Sequence, residues 1–268
     1  MKGPEILEEH SDHLKSYMGA CFPGERAVFR GHDLHADLID MDWIELYVFG
    51  ITGRRFTTQQ QRLLHAIWVY TSYPDARIWN NRVAGLAGST RSTGSLGIAA
   101  ALAVSEASIY GGGIYMPSIK FLKRTRKALD KGAELSDCVQ DELKTRRGIA
   151  GYGRPLTSRD ERISPIMALA ATLGLDDGPH VRLAFAVDEL LLAGRWRLRM
   201  NYGAVAAALC ADLGLSTREY YLFMFPAFLA GMPPCFIESA QRPEGTLFPL
   251  SCAHILYEGV SKREWQRQ

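Results

Sequence analysis

Apolar residues recur at three- and four-residue intervals along most of the 268-residue chain, and alternation at every second position is scarce. That period predicts helices packed on helices rather than sheets. Asp42 is placed to cap a helix running through Phe49 and ended by Gly50 and Gly53. Thr58 starts another, with Leu63, Leu64, Ile67 and Trp68 on one face. The stretch 92–108 is rich in Ala and Gly, which suits a helix held close to its neighbours. Pro117 fits a first helical turn that carries Ile119, Leu122 and Leu129 before Gly132. Leu135, Val139 and Leu143 mark the next helix, and Pro165 and Pro179 each open one more. Ser216 with Glu219 reads as a capping box. The fold class expected from these residues is all-α, a multi-helix bundle.

Hydrophobic content of 47% and charged content of 22% are ordinary for a folded chain of this length, so disorder is not favoured. A net charge of +2 argues against a nucleic-acid partner bound through its phosphates. The five cysteines (Cys21, Cys138, Cys210, Cys235 and Cys252) are odd in number and widely spaced. That pattern suits reduced thiols and a cytoplasmic location better than a disulfide framework or a metal site. The first residues lack an apolar signal region. From Tyr220 to Ile237 no charge occurs, but Pro226, Pro233 and Pro234 interrupt the run; a kinked core helix, not a membrane span, is expected.

Two glycine-flanked stretches lie about forty residues apart: Tyr110-Gly111-Gly112-Gly113 and Gly151-Tyr152-Gly153-Arg154-Pro155-Leu156. Before them come Val28-Phe29-Arg30-Gly31-His32-Asp33-Leu34 and Thr52-Gly53-Arg54-Arg55-Phe56-Thr57; after them come Ala230-Gly231 and Leu256-Tyr257-Glu258-Gly259. In this order and spacing the fragments resemble the citrate synthase family, over roughly residues 25–259. The resemblance implies an all-α fold with a large helical domain (1–123 and 180–268) and a small, mobile CoA-side domain (124–179). It also implies a homodimer whose cleft draws on both chains.

The departures concern chemistry. Condensing an acyl-CoA with a keto acid needs a base for a weakly acidic α-proton, a donor for the enolate oxygen and a donor for the ketone. The family supplies an aspartate and two histidines. Here the histidine positions read Tyr110 and Arg154, and the aspartate falls on Tyr202 or Gly203. Of the family's substrate-gripping arginines, one aligns with Arg162, one with Phe228, and the one lent by the partner subunit with Cys252 or His254. Fewer guanidinium groups imply a less charged substrate than oxaloacetate.

Each candidate has two readings. Tyr110 would donate to an enolate or carbonyl oxygen, or fill the space of the missing ring. Arg154 would hold a carboxylate, a thioester oxygen or a CoA phosphate, or form an ordinary surface ion pair. His254 is a catalytic candidate or a structural histidine. Tyr202 lines the cleft, or acts as a base only with a strongly lowered pKa. Asn81 and Arg82 offer directed donors to a polar substrate group, unless Asn80 or Asn81 caps the next helix. Lys120, Lys123, Arg124, Arg126, Lys127 and Lys131 would attract CoA phosphates or form a solvated face. The glycines at 111 to 113 lack a preceding strand and a following Gly-Lys-Ser/Thr, so a nucleotide-binding loop is not expected.

The function expected is a divergent acyltransferase or lyase making or breaking a C–C bond in a small-molecule substrate, with a CoA thioester as co-substrate. No metal, tightly bound cofactor or membrane is expected. The alternative is a catalytically inactive homodimer with a binding or regulatory role.

Overall fold

The structure, a computed structural model, describes residues 3–12, 14–109, 111–153, 159–194, 196, 198–247 and 251–264. Helices dominate. In chain order the elements are α1 (Pro4–His10), β1 (Gly19–Phe22), β2 (Arg26–Phe29), β3 (His32–Asp33), α2 (Trp43–Thr52), α3 (Thr58–Thr71), α4 (Trp79–Ser89) and α5 (Gly94–Val104). There follow α6 (Tyr115–Leu129), α7 (Leu135–Arg146), α8 (Ile163–Thr172), α9 (Pro179–Ala193), α10 (Tyr202–Asp212), α11 (Thr217–Met224) and α12 (Met232–Gln241). The chain divides into two compact units, residues 1–73 with 105–228, and residues 74–104 with 229–268. Segment 124–179 lies within the first.

The centre of the first unit is α10. Its sequence from Ala204 to Ala211 is apolar all round, and every one of those residues is buried, as expected of a helix with no face left for water. Helices α6, α9 and α11 pack against it. Fully buried Tyr220, Phe223, Phe121, Ile119 and Leu209 fill the space between. Asp42 accepts from the Glu45 N–H, and Gly53 closes α2 in the left-handed region at φ 69°. The Ser216–Glu219 capping box forms as expected at α11.

The strands are what periodicity did not show. β1, β2 and β3 make a small antiparallel sheet in that order, with Gly19 opposite Phe29 and Val28 opposite Asp33. They are two to four residues long and mostly exposed or half-buried, so no alternating apolar face exists to be read. The sheet presents Arg30, whose guanidinium donates to the carbonyls of Gly50 (2.8 Å) and Ile51 (3.2 Å) at the end of α2. Arg54 does the same for Leu213 and Gly214 beyond α10, at 3.3 Å each. Both use a cation to satisfy carbonyls that a helix end leaves unpaired.

In the second unit α4 packs on α12 and α5. A Cβ on Gly88 would lie 2.3 Å from the Phe236 carbonyl, and one on Gly97 would lie 2.6 Å from the Ala87 Cβ. The Ala/Gly-rich stretch is helical over Gly94–Val104 and comes close to α4 at Gly97, but only Gly97 and Ala101 of that helix are buried. The uncharged run after Tyr220 is helical over Thr217–Gln241 and is long and apolar enough to cross a bilayer. It is broken by a 3-10 segment at Phe225–Gly231, and its Tyr220, Phe223 and Met224 belong to the core of the first unit.

Candidate active site

Both glycine stretches meet the first turn of α10. Asn201 caps that helix, its side chain accepting from the Gly203 N–H at 2.9 Å. Its main-chain N–H donates to Gly151 O and its Nδ2 to Gly153 O, both at 2.9 Å. Gly151 has φ 90°, and a Cβ there would fall 2.7 Å from the Ala204 Cβ. Only glycine fits both the backbone and the space. From the other side, Ile114 follows Gly111–Gly113 and packs so tightly on Gly203 that a Cβ would meet it at 2.6 Å.

At the same turn Asp160, buried, accepts from the Tyr202 N–H at 2.9 Å. A carboxylate suits the positive end of a helix. Asp160 also grips Arg162 with two hydrogen bonds of 2.8 Å, to Nε and to a terminal nitrogen. The guanidinium lies over the Tyr202 ring, 4.7 Å from its centroid, and 5.4 Å from that of Tyr73. Burial alone would raise the Asp160 pKa, but the hydrogen bonds and charge of Arg162 bring it below the ordinary carboxylate value. Burial pushes the Tyr202 hydroxyl up, against the opposing pull of Arg162, and that hydroxyl donates to Ile67 O at 3.2 Å. A phenol so placed is the opposite of a poised base.

An aromatic wall adjoins this pair. Tyr115 meets Tyr220 edge to face with centroids 5.9 Å apart and stacks on Phe228 at 6.1 Å. A Cβ on Gly112 would come 3.1 Å from the Tyr115 ring, so the glycine stretch is moulded to it.

Of the residues singled out in the sequence, Arg162 and Tyr202 are brought into direct contact. Tyr110 and Arg154 lie outside the described residues. Asn81, Arg82 and His254 belong to the second unit. Asn81 is buried in the first turn of α4 and donates to Asp75 O at 3.1 Å, while Arg82 is exposed. Neither Asn80 nor Asn81 is the cap of α4; Ile78 occupies that position. His254 is exposed and ends a 3-10 turn, Cys252–His254. On the basic helix α6, Lys123 donates to Leu215 O, Arg124 pairs with Glu142 and Arg126 with Asp130. A cleft of about 280 Å³ beside Arg124 is lined also by Cys138, Glu142 and Arg146. Among the described residues no group of three or more His, Cys, Asp or Glu side chains is placed to hold a metal ion.

Asp160, Tyr73, Tyr115 and Tyr220 were missed. For Asp160 a signal existed, because a carboxylate two residues before an arginine is within reach of it. The tyrosines stand far apart in sequence and carry no spacing that would join them.

This architecture, a buried alanine-rich helix with two glycine stretches and an arginine gathered at its start, is the citrate synthase-like helical fold. The structure of citryl-CoA lyase from Hydrogenobacter thermophilus superposes with a TM-score of 0.82 at 20% identity, over 94% of this chain and 97% of that one. ATP citrate lyase from Methanothrix soehngenii, solved with citrate and coenzyme A, gives 0.73 at 16% identity over all of this chain and 46% of its own. Citrate synthase from Thermotoga maritima gives 0.65 at 18% identity over 85% of this chain and 60% of its own. This chain therefore spans about half the length of the ATP citrate lyase chain. No family model and no curated protein matches the sequence.

Proposed function

We propose that this protein is a divergent citrate synthase-like enzyme that makes or breaks a C–C bond next to a CoA thioester, and that it is not an ordinary citrate synthase. The observation that carries the reading is the fold shared end to end with citryl-CoA lyase, together with both glycine stretches meeting α10 beside Arg162. In this reading Tyr110 donates to the enolate or carbonyl oxygen, and Arg154 supplies a fixed positive charge to the thioester oxygen or a CoA phosphate. Arg162, Tyr202, Asn81 and Arg82 are the proposed substrate-binding residues, and His254 is a further catalytic candidate. The CoA-side lobe at 124–179, a homodimer and a cytoplasmic location belong to the same proposal. The dimer is supported by α5, which leaves Leu96 and Val104 exposed along with Ala99, Ala100 and Ala103. The location is supported by the unpaired thiols of Cys21, Cys138, Cys210 and Cys235.

A specific observation favours the second reading, an inactive homodimer that binds or regulates. The one guanidinium retained at a substrate-gripping position already holds a carboxylate of its own chain, that of Asp160. Titration calorimetry with CoA and short acyl-CoAs, followed by turnover assays of Tyr110→Phe and Arg154→Ala, separates the two. The enzyme reading expects binding, and loss of turnover in both variants with melting unchanged. Binding without any turnover in the parent protein supports the second reading, and no heat or thermal shift with any CoA thioester overturns the first.

A further inference from the structure

Two polar atoms in the aromatic wall stand out. The hydroxyls of Tyr115 and Tyr220 are buried and have no hydrogen-bond partner among the described residues. A buried hydroxyl left without a partner is destabilising, so such groups are rare and call for an explanation. Here two occur on rings in edge-to-face contact. Tyr115 is 5% exposed and Tyr220 fully buried, whereas neighbouring Phe228 and Arg162 keep a solvent-facing edge. Tyr115 also packs on Phe228, the position where the resemblance expects a substrate-gripping arginine, and on Gly112 of the first glycine stretch. A phenol gives one hydrogen bond and accepts others, and offers no charge to balance a carboxylate. The cation of the cluster, Arg162, is already neutralised by Asp160.

We propose that the hydroxyls of Tyr115 and Tyr220 form an uncharged oxygen-binding subsite that receives the carbonyl or hydroxyl oxygen of a neutral carbon substrate. The inference rests on the proposed reading of the residues around the start of α10 as a small-molecule site and adds the substrate class. A site whose buried donors are paired only by the correct ligand discriminates strongly against molecules that lack the matching oxygen. Burial raises the Tyr115 hydroxyl against the opposing pull of Arg162, so the phenol stays protonated and able to donate.

The test is thermal unfolding of the full chain and of Tyr115→Phe and Tyr220→Phe, with no addition, with methyl pyruvate (an uncharged ketone), with oxaloacetate (a dicarboxylate) and with acetyl-CoA. Removing an unpartnered hydroxyl should raise the melting temperature of each variant by about 2–4 °C without ligand. The parent protein should gain stability with methyl pyruvate and not with oxaloacetate, and both variants should lose that gain. A lower melting temperature in either variant without ligand would mean that its hydroxyl is already satisfied and would overturn the proposal. So would a methyl pyruvate gain that is absent in the parent or retained in both variants. Acetyl-CoA reports on the CoA reading alone: loss of its effect sinks that reading, while the ketone arm still decides the tyrosine pair.

Discussion

Asp160 holds Arg162 with two parallel hydrogen bonds of 2.8 Å while accepting a third, at 2.9 Å, from the first N–H of the central helix. The arginine is thereby held near two tyrosine rings, those of Tyr202 and Tyr73, and the start of α10 is tied to the segment after the second glycine stretch. Removing one partner of a buried ion pair leaves the other charge uncompensated. Asp160→Asn should therefore cost about 3 kcal/mol, at the lower end of the range for buried pairs because Arg162 keeps a solvent-facing edge. Urea unfolding midpoints measure this. A loss no larger than that of a surface pair would show that the arginine finds water as good a partner.

The acid response should follow from two carboxyl groups. Burial alone would raise Asp160 and Asp212, yet Arg162 in one case, and the His180 ring with the His180 and Val181 N–H groups in the other, hold both below their ordinary value of 3.8. A depressed folded-state pKa stabilises the fold above the unfolded value, and that contribution is lost as pH falls through the folded one. Stability should thus fall off below about pH 4. Asp212 caps α9 from the end of α10, accepting from His180 and Val181 at 2.9 Å each. Urea titrations from about pH 7 to about pH 3 should show a flatter acid limb in Asp212→Asn than in the parent. Parallel limbs would remove Asp212 from the account.

The helices were legible because their signals are local: Asp42, Ser216 and Pro179 mark their own termini, and Leu63, Leu64 and Ile67 their own buried face. The glycine stretches were legible through their resemblance to a known family, and the backbone at φ 90° against Ala204 gives the physical reason for glycine at 151. The sheet was not, since strands of two to four residues have no room for a period. Nor was the aromatic wall, where Tyr115, Tyr220 and Phe228 meet although they lie far apart in sequence. Arg162 was found as a cation, but its commitment to Asp160 is a matter of geometry.

Gly151 offers a sharper test of how the second glycine stretch is held. Its φ of 90° disfavours any Cβ, and the added atom would lie within 2.9 Å of the Ala204 backbone, which cannot yield without moving α10. Gly151→Ala should destabilise the protein by about 2–3 kcal/mol. Gly148→Ala, three residues earlier, meets nothing within 4 Å and should be nearly neutral. Similar midpoints for the two variants would mean that the stretch does not bear on the helix.

Asn81 and Arg82 are adjacent in sequence but differ in surroundings, which lets structural and ligand roles be separated. Asn81 is buried and its amide donates to the Asp75 carbonyl, so Asn81→Ala should cost about 1–3 kcal/mol by leaving a buried group unpaired. Arg82 is exposed, and Arg82→Ala should leave stability within about 0.5 kcal/mol of the parent. If Arg82 holds a substrate group, its loss should weaken binding tenfold or more, since a hydrogen bond to a charged group is worth about 1.5–3 kcal/mol. Calorimetry at unchanged melting temperature reads that effect directly. Equal affinity in Arg82→Ala would assign the first turn of α4 a structural role and leave the substrate contacts to Arg162 and the aromatic wall.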